Sequence, residues 1–177
     1  PTTYPRSPVQ DFAGDSITFS AGDEVAGYLK KLAQETGSTL FMVLLAAYNV
    51  LLYLYTGQED IVVGTPVVGR VHPDLDKVIG MFANTLVLRH YPTRTLTFKA
   101  FLREVKQRTL AAYENQDVQF EDLVEMLVKG RDTSRNPLFD VMFALQSRET
   151  EKNVGTTTSN QYEVQEARFD MTLTALD

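Results

Sequence analysis

The run LFMVLLAAYNVLLYLY, Leu40 to Tyr55, constrains the fold more than any other stretch of the chain. A helix that is apolar around its whole circumference has two stable settings, a membrane or the middle of a protein core. A spanning helix needs about 20 consecutive apolar residues. This run is shorter, carries Asn49 past its middle, and has no flanking cluster of lysines or arginines. It therefore predicts a core helix, buried on all sides, that begins at the cap Thr39 and is ended by Gly57. Such a helix must be surrounded by a sheet and by other helices. A chain of 177 residues, 44% of them hydrophobic, can provide these as one domain or as one large lobe of a bigger one.

The surrounding elements follow from periodicity. Ser16 to Ser20 alternates, with Ile17 and Phe19 on one side, and reads as a short strand. Ser20 then caps a helix, with Asp23 in the place of the capping-box partner, and Gly37 ends it. Its apolar stripe is Val25, Tyr28, Leu29 and Leu32. Asp60 to Arg70 is a continuous apolar run broken by Gly64 and Pro66, a buried strand leading into a tight loop. Thr85 to His90 reads as another strand. Phe98, Phe101, Leu102, Val105, Thr109, Ala112 and Tyr113 recur at helical spacing, which predicts a long helix from Thr97 to Glu114. Phe120, Leu123, Val124 and Leu127 make a shorter helix ended by Gly130. Leu138 to Gln146 reads as a strand with Phe139, Val141, Phe143 and Leu145 on one face. A polar, aperiodic loop follows from Ser147, and residues 162–176 read as one or two further strands. The order of elements predicts an α/β (α+β) fold, a mixed sheet covered by helices. Residues 1–15 carry three prolines and no helical period, and read as an extended linker belonging to a longer chain.

Composition removes several functions. There is no cysteine, so neither a disulfide scaffold nor a thiolate zinc site is available, and a reducing cytoplasm fits. Only two histidines are present, His72 and His90, and not at metal-binding spacing; no metal site is expected. The net charge of −6, without a basic stripe, argues against a nucleic-acid partner, and the core-helix reading of Leu40 to Tyr55 against a membrane. No phosphate-binding glycine loop or GxSxG nucleophile turn occurs.

Three polar segments stand out. The first is IGMFANTLVLR, Ile79 to Arg89; the second is NQDVQFE, Asn115 to Glu121; the third is RDTSRNPLF, Arg131 to Phe139. On chemistry alone, Gly80 permits a bend without a Cβ, Ala83 leaves room, and Asn84 offers both donors and an acceptor. Asn115, Gln116 and Asp117 follow a helix and can satisfy its last carbonyls and the next helix's first amides. Glu121 suits the positive end of that next helix. Arg131, Asp132, Ser134 and Arg135 are suited to knitting a loop, with Asn136-Pro137 setting an extended start for the strand behind it.

In this order, with GTPVVGR ahead of them, FDMTL behind and YPRSPVQDFAG at the start, the three segments resemble motifs of condensation domains of nonribosomal peptide synthetases. The resemblance covers nearly the whole chain. It implies one lobe of a two-lobed fold like that of chloramphenicol acetyltransferase, with a reaction tunnel between the lobes. Residues 16–177 would form the C-terminal lobe, incomplete at its C-terminal end, and residues 1–15 the inter-lobe linker. In that family a donor acyl group and an acceptor amine arrive on the phosphopantetheine arms of carrier proteins, and a peptide bond forms. The implied activity is a step of antibiotic-type peptide biosynthesis in a multidomain enzyme. No bound cofactor is expected; the substrates are carried by the arms. The implied partners are the N-terminal lobe, peptidyl carrier proteins and a neighbouring adenylation domain. The family's catalytic HHxxxDG motif is not in this sequence, so the chain is expected to be inactive alone and to contribute no catalytic residue. Arg70 would pair with the aspartate of that motif across the lobes. Gly80, Ala83, Asn84, Met142, Ala144 and Gln146 would line the tunnel. IGMFANTLVLR looks more like peptide-forming members than epimerisation domains. A face made for the other lobe would be unusually apolar, and self-association through it is expected. Two other readings stand beside this one: a noncatalytic carrier-binding or scaffold lobe, and another acyltransferase of the same fold.

Overall fold

The computed structural model describes residues 6–7, 9–70, 72–75, 77–130, 132, 134–147 and 166–177. Among these residues, four helices and four strands follow in the order α1 (Asp23–Thr36), α2 (Leu40–Thr56), β1 (Ile61–Val67), β2 (Asn84–His90), α3 (Phe98–Glu114), α4 (Phe120–Leu127), β3 (Val141–Gln146) and β4 (Met171–Leu176). A single turn of 3-10 helix, Pro73–Leu75, lies between β1 and β2.

The sheet is mixed, with strand order β2-β1-β3-β4. β1 and β2 are antiparallel, from Ile61 opposite His90 to Val67 opposite Asn84. β3 runs parallel to β1, and β4 parallel to β3. The period-2 alternation of strands sorts the side chains into two faces. Ile61, Val63 and Thr65 of β1, Leu86, Leu88 and His90 of β2, and Phe143 of β3 are all buried. Most of them pack with Met42, Val43, Leu45, Ala46, Tyr48 and Leu52 of α2 and with Phe101, Leu102 and Val105 of α3. Phe143 is the centre of this core; its ring lies 5.2 Å from that of Phe41 and 6.0 Å from that of Tyr48.

Helix α2 begins where the sequence says it should. The Thr39 hydroxyl accepts from the Met42 N–H at 3.2 Å, and Gly57 closes the helix in a left-handed conformation. It is not buried on all sides, however. Leu51, Leu54 and Tyr55 form an outer stripe that is 43%, 70% and 76% exposed. The sheet and the two neighbouring helices cover only part of its circumference. Among the described residues, no single helix is long and apolar enough to cross a membrane.

Four other expectations change. Ser16 to Ser20 forms no strand: it lies outside the sheet, with Ile17 90% exposed, because alternation alone supplies no partner edge. The N-cap of α1 is Gly22 rather than Ser20, whose hydroxyl instead accepts from the Gly22 N–H. The strand after Asn136-Pro137 starts at Val141, and α4 stops at Leu127 ahead of Gly130. Phe139 precedes β3 as part of an aromatic group with Phe120 and Phe169, at 5.6 and 5.4 Å. Gly64 makes room for it, since a Cβ there would meet the Phe139 ring at 2.3 Å.

Candidate functional site

The loop between β1 and β2 folds back on itself through Arg70. The chain turns at Gly69 with φ +65, and a Cβ at that position would sit 1.9 Å from the Phe82 carbonyl oxygen. Only glycine allows both the left-handed backbone and that approach. The Arg70 guanidinium then lies over the Phe82 ring, 4.5 Å from its centre. It donates to the carbonyls of Leu75 and Gly80. No carboxylate among the described residues is paired with it. One arginine thus holds both ends of a loop whose outer residues have no cover: Ile79 is 101% and Met81 94% exposed, with Val68 beside β1 at 70%.

Asn84, the first residue of β2, points toward the turn between α3 and α4. Its amide nitrogen donates to the Gln116 and Val118 carbonyls, both at 2.8 Å. Its amide oxygen accepts from the N–H groups of Thr85 at 2.8 Å and Phe120 at 3.1 Å. Two donors and two lone pairs are therefore all used, and the residue is only 7% exposed. This arrangement spends on the chain's own backbone the donors and the acceptor that the sequence offers at Asn84. It also corrects the source of α4's cap, because the N-cap residue Gln119 makes no side-chain cap bond and the Phe120 N–H is satisfied from β2. Asn115 does serve the preceding helix: its side chain donates to the Ala111 carbonyl at 2.8 Å.

These contacts bring two of the three motif segments together around a small cavity of about 190 Å³, lined by Phe82, Ala83, Asn84, Gln116, Asp117 and Gln119 among others. Asp117 is exposed, and its backbone carbonyl accepts from the Gln119 side chain at 3.3 Å. Gly80 lies beside the Phe82 ring. Glu121 stands exposed in the first turn of α4.

The third segment folds separately. Asp132 accepts from the Ser134 N–H at 2.9 Å and hydroxyl at 2.6 Å, and these bonds hold its carboxyl below the usual range. Arg135 forms a two-pronged pair with Asp140. Asn136 donates to the Arg168 carbonyl at 3.0 Å. Arg131 lies outside the described residues. Between this loop and the end of α4 runs a groove of about 750 Å³, with Val124, Glu125, Lys129, Arg135 and Asp140 on its walls. On β3, Met142 and Ala144 are half-buried and Gln146 is exposed, on the face opposite Phe143. Arg6, Asp140 and Asp170, which complete the hydrogen bonding of the third segment, were not singled out by sequence reasoning. The Arg6–Asp170 pair joins residues 164 positions apart, and nothing local announces it.

Neither histidine borders the small cavity. His72 is a surface residue 3.4 Å from Asp74. His90 is wholly buried, its ring nearly perpendicular to that of Phe101 at 6.4 Å, and neither ring nitrogen has a hydrogen-bond partner among the described residues. Burial, and then the charge of Arg108, push its pKa down to about 4.

Comparison with known proteins places this geometry. The family model "Condensation domain" matches residues 1–177. The chain is 53% identical over 178 residues to tyrocidine synthase 3 of Brevibacillus parabrevis, covering 99% of this chain and 3% of that protein. It is also 53% identical over 180 residues to gramicidin S synthase 2 of Aneurinibacillus migulanus, covering 99% of this chain and 4% of that one. It thus spans only a small fraction of the curated relatives it matches. Among solved structures, a four-domain nonribosomal peptide synthetase bound to AMP and glycine superposes with a TM-score of 0.80 at 30% identity, over 82% of this chain and 11% of that one. Ordered motifs, mixed sheet and sequence identity agree, and the chain belongs to the condensation-domain family.

Proposed function

We propose that residues 16–177 are part of the C-terminal lobe of a nonribosomal peptide synthetase condensation domain and form one wall of its reaction tunnel. Residues 1–15 lead to the other lobe. In the assembled domain the acceptor amine nitrogen attacks the donor thioester carbon, the peptide C–N bond forms, and the sulfur leaves as the thiol of the donor's phosphopantetheine arm. The partner lobe supplies the histidine that takes the amine proton. This chain supplies shape, with Ala83 and the α3–α4 turn at one end and Met142, Ala144 and Gln146 along β3. The partners are the N-terminal lobe, peptidyl carrier proteins and an adenylation domain, in the cytoplasm, with no cofactor of its own.

The observation that carries this reading is the Arg70 loop. An arginine holds in place an apolar segment, Ile79 to Met81, that nothing in the described chain covers. A soluble surface rarely orders such residues without a partner. On this reading Arg70 exchanges its carbonyl partners for the aspartate of the other lobe's HHxxxDG motif. Losing one member of such a desolvated pair costs about 3–5 kcal/mol. The same apolar segment is expected to drive self-association of the chain on its own.

The test is dipeptide formation from two loaded carrier proteins. The parent synthetase is expected to form product, to lose most of that activity with Arg70→Ala, and to retain it with the surface variant Lys99→Ala. The isolated chain is expected to form none, and to form product once the N-terminal lobe is added in trans. Product from the isolated chain alone would overturn the half-site reading. A parent synthetase indifferent to Arg70→Ala would remove the inter-lobe role.

A further inference from the structure

The segment ahead of α1 and the loop after α4 meet at a charged cluster that the tunnel reading does not use. Arg6 donates to the Ser134 carbonyl at 3.2 Å and forms a two-pronged pair with Asp170. Asp132, which holds the Ser134 N–H, also acts on Arg6 through its charge. A few residues on, Gln10 donates to the Arg168 carbonyl at 3.0 Å, and that same oxygen accepts from Asn136. The Ala167 N–H donates to the Phe12 carbonyl at 2.7 Å, and Ala13 bridges to Glu166 in antiparallel fashion. Finally, the Asp170 N–H is held by the Asp140 carbonyl, so β4's lead-in is tied to the same loop.

We infer that Arg6 and residues 9–14 form a strap held by polar contacts, and that the Asp132–Asn136 loop is its clamp, so that docking of the strap and ordering of the loop are one equilibrium. Two features carry this. The strap's apolar residues contribute little to holding it, since Val9 is 66% and Phe12 49% exposed. What remains is a set of exposed polar contacts, each worth roughly fivefold or less in an equilibrium constant. Second, strap and loop share acceptors: Ser134 is gripped by Asp132 from one side and Arg6 from the other, and the Arg168 carbonyl takes a donor from each. Removing either partner leaves the other with an incomplete site, and linkage makes the effect reciprocal. The consequence for lobe geometry rests on the proposed function: a docked strap fixes the direction in which the chain leaves toward the other lobe, and a released one frees it.

Amide hydrogen exchange on the full chain tests the clamp without reference to peptide formation. Arg6→Ala is expected to speed exchange at both Ala167 and Ser134 by about fivefold, while Val63 and Phe143 in the sheet stay unchanged. Asp170→Asn is expected to do the same, and salt at about 0.5 M to reproduce part of the effect in the unmodified chain. Acceleration at Ala167 without acceleration at Ser134 would overturn the coupling. Equal acceleration at Val63 and Phe143 would make Arg6 an ordinary member of the global fold, and no change at any site would dissolve the strap. None of these outcomes bears on whether the chain is a tunnel wall.

Discussion

His90 makes the stability of this chain depend on pH in a way that can be worked out in advance. Its ring is fully buried, stands nearly perpendicular to that of Phe101, and has no hydrogen-bond partner at either nitrogen among the described residues. The charge of Arg108 of α3 also disfavours a proton there. Its folded pKa is about 4, against 6.5 in the unfolded chain. Between those two values the unfolded state binds more protons than the folded one, so stability rises with pH and is lost as pH falls. The loss begins near 6.5 and is complete below 4. At about 1.4 kcal/mol per pKa unit, the whole effect is about 3 kcal/mol, and about 2 kcal/mol of it is reached by pH 5. Urea unfolding of the unmodified chain and of His90→Leu at pH 7.5 and pH 5 isolates the term, because the carboxylates contribute equally to both. The unmodified chain is expected to lose about 2 kcal/mol more than the variant over that interval. Equal losses would refute the argument. A ring resonance showing His90 charged at pH 5 in the folded chain would refute it independently of how the variant folds.

Further outcomes follow from single positions. Asn84→Ala leaves the Phe120 N–H and the Gln116 and Val118 carbonyls short of partners, and is expected to cost about 2–4 kcal/mol by denaturant unfolding, with exchange quickened first at Phe120. Asn84→Asp keeps the size but loses both donors, and is expected to be no better tolerated. Gly69→Ala forces a Cβ onto the Phe82 carbonyl in a left-handed backbone; a loss of at least about 2 kcal/mol in thermal unfolding is expected, together with displacement of Arg70 from Phe82. Leu54→Asn, on the uncovered stripe of α2, is expected to change stability by less than about 0.5 kcal/mol, whereas Leu45→Asn, wholly buried on the same helix, is expected to prevent folding.

What could be read from the sequence was what is encoded locally. Thr39, Thr97 and Gly57 bound their helices because caps and left-handed closures depend on a few adjacent residues. The long helix announced itself by period, and β1 by its continuous apolar run. Two of the failures share one cause. Ile17 and Phe19 alternate as a strand does, but a strand exists only against another edge, and the sequence does not say where edges lie. The apolar circumference of Leu40 to Tyr55 indicated burial, but not which part of it this chain would leave uncovered. At the site, residue types were legible and partners were not. Asn84 was identified as important from its segment, yet its role as a four-bond latch depends on a turn more than thirty residues away. The third segment's loop-knitting chemistry was visible in Asp132, Ser134, Arg135 and Asn136, while Arg6 and Asp170 were not, since an ion pair across 164 positions has no local signature.

The distribution of polar groups bears on what chemistry this chain can supply. A group that acts on a substrate must have hydrogen-bonding capacity to spare. Asn84 has none, Arg70 is engaged by two loop carbonyls and a ring, and Asp132, Arg135 and Asn136 are committed to their loop and to β4's lead-in. His90 is neutral in the core and His72 stands at the surface beside Asp74, so no imidazole borders the small cavity. The groups left with access there are the exposed Asp117 and Gln119 and the half-buried Gln116. A general base for amine attack must sit within about 3 Å of the proton it takes and have a pKa near the working pH. On the proposed reading this is what a tunnel wall should look like: Asn84, Arg70 and the polar residues of the third segment are consumed in holding backbone at fixed distances, and apolar surface stands exposed at Ile79 and Met81. If that is so, Asp117→Asn in the parent synthetase should change the apparent affinity for the acceptor-loaded carrier more than the turnover rate. A fall in turnover of a hundredfold or more, at unchanged affinity, would instead make Asp117 a catalytic group and move part of the chemistry onto this chain.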